Sequence, residues 1–442
     1  MTRPSTPASS AEAQTPPPTM GSTDPEPGGQ ASHGGQRLQR RLMLALFGVA
    51  FSTQAPSPVL LYYTAALDLS ALSLTIFFAV YALGLVPSLL LGGPYSDRRG
   101  RKRVVVPFTL LCLGALIVLL LTTFLGEPMI YVGRLLQGLT SGAVFTVGVV
   151  WLRELAGPAG AAGAAMKASA AMASGFAIGP LTSGLLVQWA PLPEILPFGL
   201  PFVLVALAFY LTRGIPETMT VHRPGRLQLG IPPGAGAGFV AYLLPVGLIV
   251  YTYAVLSLTV FPLLVADQGF EAVFALVGVS ALLVQGSAAV ATALARRWGP
   301  ATSGWTSALL AAGGCVLGFV AVQPDGWPWV LPASLLIGVS EGLAITSGIT
   351  VSDLLAPADR RGGLVSVFYL VVYFGFAVPT IVALVAGDSL RSGVPILVLG
   401  GVALLLGAVL FLAGRTVLRR PATSGKAENV VLLTPEAASG QS

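Results

Sequence analysis

Apolar residues in this chain neither alternate nor recur on one helical face; they run on unbroken. Stretches without Asp, Glu, Lys or Arg cover 42–67, 69–96, 104–126, 168–193, 195–212, 227–266, 272–295, 298–324, 362–387 and 392–414. Each comes close to or exceeds the ~20 residues a helix needs to cross a hydrocarbon core about 30 Å thick. Two more runs, 128–152 and 326–352, are interrupted only by Arg134 and Glu341. The pattern predicts an all-α polytopic membrane protein of twelve transmembrane helices, since in a bilayer the backbone polar groups must be satisfied internally. Pro87, Pro180, Pro379, Gly175 and Gly179 fall inside these runs, and packed neighbours accommodate them.

Composition agrees. Of 442 residues, 54% are hydrophobic and 10% charged, against about 25% charged in a soluble protein; mean hydropathy is +0.81. So few charges cannot cover a water-facing surface, which excludes a soluble enzyme and a disordered scaffold. The net charge of +6 does not signal nucleic acid, because the basic residues sit in short loops between apolar runs. With the N-terminus inside, 22 of the 24 Lys and Arg residues fall on cytoplasmic segments, Arg391 falls outside and Arg134 lies within a span. The outer loops carry Asp68, Glu127, Glu194, Asp267, Glu271, Asp325 and Asp388. This asymmetry predicts that both termini are cytoplasmic. Residues 1–41 and 415–442 read as polar, disordered tails, and the first lacks the apolar core of a signal peptide. Cys112 and Cys315 lie in spans, while His33 and His222 lie in polar stretches, so no disulfide, metal or other cofactor is expected. Arg-over-Lys usage with abundant Ala, Gly and Leu points to a bacterial cytoplasmic membrane.

The longest loop between spans, 214–238, separates a six-helix unit at 42–213 from another at 239–414. Gly175-Phe176-Ala177-Ile178 before Pro180 recurs as Gly375-Phe376-Ala377-Val378 before Pro379, and Leu155-Ala156 recurs as Leu355-Ala356. Arg98-Arg99-Gly100 returns loosely as Arg296-Arg297-Trp298-Gly299, and Gln137-Gly138 as Glu341-Gly342. Four echoes in one order predict two pseudo-symmetric bundles with a substrate path between them.

The loop after the second span reads Gly93-Pro-Tyr-Ser-Asp97-Arg98-Arg99-Gly100-Arg101-Lys102. It is similar to the signature loop of the major facilitator superfamily: a Gly, three residues, Asp-Arg, one residue, Gly-Arg-Lys. The resemblance covers about 42–414 and implies a latch that closes the cytoplasmic face in the outward-open state. A plain topogenic loop would explain the Arg and Lys but not Asp97 with Gly93 and Gly100. Gly93 would allow close helix approach, and Asp97 would meet a helix N-terminus or a basic side chain. Glu154, at the end of the fourth span, is the expected ion-pair partner of Arg101.

Gly133-Arg134-Leu-Leu-Gln137-Gly138 resembles a second motif of the superfamily, and an intramembrane Arg is either functional or satisfied by backbone carbonyls. Gly175, Gly179, Pro180 and Gly184, with Ser183, look like the superfamily's antiporter motif, in which glycines thin the helix and the proline kinks it. That likeness points to the twelve-helix drug/proton antiporter branch. Glu341, the one acid near mid-span, must be protonated, paired or wetted; it suits proton coupling or a neutral structural role. Many proton-coupled drug exporters carry an acid in the first span, where this chain has Gln54. Cavity-lining candidates are Gln54, Tyr81, Gln137, Tyr251, Tyr253, Gln285, Tyr369 and Tyr373.

The expected function is therefore secondary active transport: proton-coupled efflux of a small amphipathic or apolar molecule by alternating access. The partners are that molecule, protons and the lipid bilayer. A nutrient or sugar transporter, as symporter or uniporter, is the alternative within transport, and a non-transporting membrane sensor or scaffold the alternative outside it. No paired acids or Ser/Lys dyad in the spans suggest an enzyme.

Overall fold

The computed structural model describes residues 28–219, 230–357 and 360–417. His222, the His33 side chain, the middle of the 214–238 loop and most of both expected tails lie outside the described residues. Among those described, every regular element is helical, and eleven helices are long and apolar enough to cross a membrane. They are α1 (Gly35–Ala66), α2 (Leu72–Arg99), α3 (Lys102–Leu125), α4 (Pro128–Trp189), α5 (Leu196–Arg213), α6 (Gly236–Ala266), α7 (Val273–Trp298), α8 (Pro300–Ala321), α9 (Trp327–Leu355), α10 (Arg361–Ala386) and α11 (Val394–Thr416). Helix already begins at Gly28, so 28–41 is not the irregular tail its polar composition suggests. Leu38 there packs on the apolar core, and Arg, Gln and Leu are good helix formers.

The count differs from twelve at α4. Its 62 residues would reach about 93 Å at ~1.5 Å each, three times a hydrocarbon core. Gly157 divides it, with φ 70° and ψ 174°, a conformation glycine enters without steric cost. Pro158 follows, which has no N–H to offer the preceding turn. Gly157, not Pro180, is the interior residue of α4 with non-helical backbone.

Buried apolar side chains form two main clusters. One is drawn from residues 42–215 together with Val255, Val273, Val277 and Phe376, the other from 239–413. Glycines set the closest helix contacts. A Cβ on Gly138 or Gly142 of α4 would strike the α2 backbone at Tyr81 or Leu85; one on Gly338 or Gly342 of α9 would strike α7 at Val284 or Ala288. Gly175 lies in the same way on α1 at Phe47, and Gly375 on α6 at Thr252. The packing thus repeats at an offset of 200 residues, which corrects one sequence echo: Glu341 corresponds to Ser141, one helical turn beyond Gln137.

Contacts between the two clusters gather toward the end where the loops carry acids. Gly184 of α4 approaches Phe274 and Gly278 of α7, and the Tyr62 ring lies 6.0 Å from Phe274. Gln188 Nε2 donates to the Glu271 carbonyl at 2.8 Å, and its Oε1 accepts from the Phe274 N–H at 3.2 Å.

Because backbone rather than a side-chain tip blocks the added atom at Gly138, Gly138→Val should push α4 off α2 and destabilise the protein by about 1–3 kcal/mol. Thermal unfolding in detergent should show a clear drop for this variant and none for Gly114→Ala, whose Cβ would meet nothing within 4 Å.

Candidate functional site

The site is built outward from a proline. Pro56 cannot donate to the carbonyl four residues back, at Ser52, and helix is interrupted between Gln54 and Pro56. Gln137 of α4 replaces that donor: its Nε2 donates to Ser52 O at 2.9 Å. Its Oε1 in turn accepts from Arg134 Nη1 at 2.9 Å. The same guanidinium donates to Thr53 O at 3.1 Å and to Phe77 O at 3.3 Å. Arg134, with 0% of its surface exposed, therefore ties α1, α2 and α4 together through backbone carbonyls. Of the two roles open to it in the sequence, this geometry matches the structural one.

From Arg134 a line of rings crosses to the second half. Its guanidinium carbon lies 4.6 Å from the Tyr81 ring centre, and Tyr81 is 6.0 Å from Phe376. Phe376 touches Tyr251 at 4.8 Å and Tyr373 at 6.2 Å. Tyr251 stacks on Tyr373 (5.5 Å, 27°), and Tyr373 on Tyr369 (6.0 Å, 23°). Phe376 reaches across because α10 loosens there. Pro379 lacks an N–H for Gly375 O, and Gly375, Phe376, Ala377 and Val378 bond three residues back instead of four. Phe376 escaped the sequence reading; Pro379 after Gly375-Phe376 was its signal.

Glu341 of α9 directly precedes Gly342, which packs against α7 at Ala288. It is 7% exposed, and its Oε2 has no hydrogen-bond partner among the described residues. Gln285 is half-buried, and Gln54 Oε1 accepts from Ser57 Oγ at 3.5 Å. Tyr253 does not line the same space: its hydroxyl donates to Leu399 O at 2.9 Å inside the second core.

At the basic end, the loop after α2 folds around Arg101. Nη2 meets Glu154 Oε1 at 2.9 Å, as the sequence leads one to expect, and Nε meets the same oxygen at 3.1 Å. Nη1 meets Asp97 and, at 2.7 Å, Ser96 Oγ. Burial alone would lower the Arg101 pKa, but its hydrogen bonds to the Glu154 and Asp97 carboxylates outweigh that and raise it. Asp97 thus meets a basic side chain of its own loop and remains 41% exposed. Arg98 is exposed. Gly93 needs no special closeness, since a Cβ there would sit 3.9 Å from Thr146; Gly92, against Ala143, is the closer contact.

One member of this cluster was missed. Glu217, just past α5, accepts the N–H groups of Arg101 (2.9 Å) and Lys102 (3.0 Å), capping α3. Its carboxylate occupies the place a Cβ on Gly100 would need, and Gly100 turns with φ 104°. Thr218 donates to Glu154, and Trp151 Nε1 to Pro216 O at 3.3 Å, pinning the strand of chain that carries Glu217. An acid on the basic side was the available signal. In the motif of α4, Gly175 and Gly179 lie on α1, Pro180 and Gly184 lie on α7, and Ser183 Oγ is buried without a partner among the described residues.

The sequence model described as Major Facilitator Superfamily matches residues 42–380. Over 94 residues the chain is 33% identical to multidrug resistance protein MdtL of Escherichia coli (strain K12 / DH10B). That stretch is 20% of this chain and 22% of MdtL, so the chain aligns with about a fifth of the relative's length. Among solved structures, a POT family transporter in complex with 5-aminolevulinic acid superposes with a TM-score of 0.70 at 14% identity, covering 86% of this chain and 96% of the other. The POT family transporter PepTSo gives 0.70 at 14% identity, covering 87% and 99%. At such identities the likeness is one of fold.

Gln137→Leu should strand Ser52 O without a donor, at a cost of about 1–3 kcal/mol. Pro56→Ala restores a backbone N–H in reach of that carbonyl. A double-mutant cycle read by thermal unfolding should therefore show Gln137→Leu milder in the Pro56→Ala background than in the wild type. Strict additivity would mean the carbonyl is satisfied in another way.

Proposed function

Because the chain belongs to the major facilitator superfamily, we propose that it is a proton-coupled exporter of a small amphipathic or apolar molecule, working by alternating access. It is a membrane transporter rather than an enzyme. The two halves of α4, parted at Gly157, then count as separate crossings, giving twelve spans in two six-helix bundles at 42–213 and 239–414. Both termini then face the cytoplasm, as the basic loops require.

The observation that carries the reading is the ring line between the two cores, together with Glu341 of the second half, whose buried Oε2 has no hydrogen-bond partner among the described residues. Apolar faces and hydroxyls from α2, α6 and α10 suit an amphipathic guest. Glu341 is the group that can take up and release a proton during the cycle. Partial likeness to MdtL, a multidrug resistance protein, favours export, and the antiporter-like glycines of α4 point the same way. In this proposal inter-bundle contacts at the acidic end make the described state open toward the cytoplasm. Asp97, Arg98, Gly100, Arg101, Lys102 and Glu154 then form the latch in its released position, Asp97 being held by Arg101 until the opposite bundle returns.

Expression in a drug-hypersensitive bacterial host should raise the inhibitory concentration of amphipathic compounds in a broad panel; protection against none would overturn export. In inside-out vesicles with an acidic lumen, the protected compounds should accumulate. Glu341→Gln, which keeps shape but cannot ionise, should abolish that accumulation and spare downhill exchange. Undiminished uphill transport by this variant would remove Glu341 from the coupling role.

A further inference from the structure

We propose that three arginine–aromatic pairs at the basic end of the helices seat the headgroups of anionic phospholipids in the adjacent leaflet. Four helices finish there with Arg in their last turn: α2, α5, α7 and α11. In three of them an aromatic residue lies four positions earlier, and the guanidinium folds back over its ring. The guanidinium carbon of Arg99 sits 5.8 Å from the ring centre of Tyr95, that of Arg213 5.4 Å from Phe209, and that of Arg415 4.1 Å from Phe411. Residues four apart are neighbours on a helix, and side chains lean toward its N-terminus. An Arg at such a C-terminal end therefore leans back toward the membrane, and the ring beneath holds it there.

Two further observations point to a lipid. The three arginines are exposed, and none of the described carboxylates pairs with them. Exposed residues also lead along the helix to the pair: Leu83 and Leu91 to Tyr95 and Arg99 on α2, and Leu404 to Phe411 and Arg415 on α11. An apolar stripe for acyl chains that ends in an unpaired cation matches the outline of one acidic phospholipid. The rival partners fit less well. A charge that only sets topology needs neither a ring nor a fixed pose. One acidic protein would have to meet three helices, and no two of α2, α5 and α11 pack extensively on each other. Lipid surrounds the bundle and meets all three at once. A free inorganic anion would use the guanidinium and leave the stripe idle. Arginine rather than lysine suits the seat, because its planar fork gives paired N–H donors to a phosphate while its face stacks on a ring.

Binding would be read by native mass spectrometry of the purified full-length protein, delipidated in neutral detergent. The titrants are phosphatidylglycerol, phosphatidylcholine of the same acyl chains, and inorganic phosphate. Phosphatidylglycerol should bind at least about tenfold more tightly than phosphatidylcholine, the ratio expected when a few basic side chains each favour an anionic headgroup. Inorganic phosphate in excess should not displace it. Arg99→Lys, Arg213→Lys and Arg415→Lys combined keep every charge but lose the fork and the stacking, and should lose most of the preference. Tyr95→Leu, Phe209→Leu and Phe411→Leu combined, with the arginines in place, should do the same. Arg297→Lys, at the same end but with Ala293 four residues earlier, should bind as the wild type does. Equal binding of the two lipids by the wild type overturns the inference even if no variant folds. So does an undiminished preference in the triple lysine variant, and so does displacement by phosphate, which would leave anion sites without a lipid role. None of these measurements involves transport, so the failure of export would leave their outcome standing.

Discussion

Everything in the central site depends on one constraint: at membrane depth a backbone carbonyl that loses its partner finds no water to replace it. Pro56 creates such a carbonyl at Ser52, and Thr53 O beside it also accepts a donor from outside its helix. Gln137 and Arg134 supply the donors. An arginine here is thus less an exposed charge than a fork of N–H groups whose rigid geometry suits carbonyls on two helices at once. Its position fixes Tyr81, over whose ring it sits, and Tyr81 fixes the place at which the first core meets Phe376 of the second. Phe376 owes its reach to another proline, Pro379, by the same loss of a donor. Two prolines, one in each half, thereby bring together rings and charges that lie far apart in the chain.

The spans were legible because charges mark their ends and the hydrocarbon core fixes their length. The Arg101–Glu154 pair was legible too, since an acid at a helix end amid basic loops has few other partners. Side-chain direction was not. Tyr251 and Tyr253 both read as mid-span tyrosines, yet two residues along a helix point nearly opposite ways, one into the ring line and the other into the core against Leu399. Register along the repeat was also ambiguous. Gly138 and Gly142 sit one turn apart, as do Gly338 and Gly342, so a shift of four residues aligns glycine with glycine and only packing shows which pairing holds. The charges Arg153, Glu154 and Lys167 mark a break between the runs 128–152 and 168–193, and Gly157 lies inside it; which residue turns was hidden in a stretch of Ala and Gly. Glu217 lay too far from its partners in sequence for spacing to reveal it.

The halves share a backbone plan but differ in charge. Gly100 and Gly299 end corresponding helices with closely similar dihedrals, φ 104° and ψ 155° against φ 78° and ψ 164°. Each donates its N–H four residues back, to Ser96 O and Ala295 O. Around Gly100 gather Asp97, Arg101, Glu154 and Glu217, whereas Gly299 is followed by Pro300 and Ala301. Deeper in, the first half buries a cation and the second an acid, and neither is the other's ion-pair partner: Arg134 is occupied with carbonyls and the Tyr81 ring. The repeat has preserved helix packing while letting each half carry its own electrostatics.

Glu217 also determines where the chain could be divided. By connectivity it belongs to the connector between the halves, but its bonds to Arg101 and Lys102, with those of Pro216 and Thr218 to Trp151 and Glu154, make it part of the first. A two-fragment version cut just after Arg213 would leave the first fragment without the carboxylate that caps α3, and would append that carboxylate, far from its amides, to the second. A cut beyond Met219 would keep the cap in place. The natural seam of this protein therefore lies several residues past the end of its sixth apolar run.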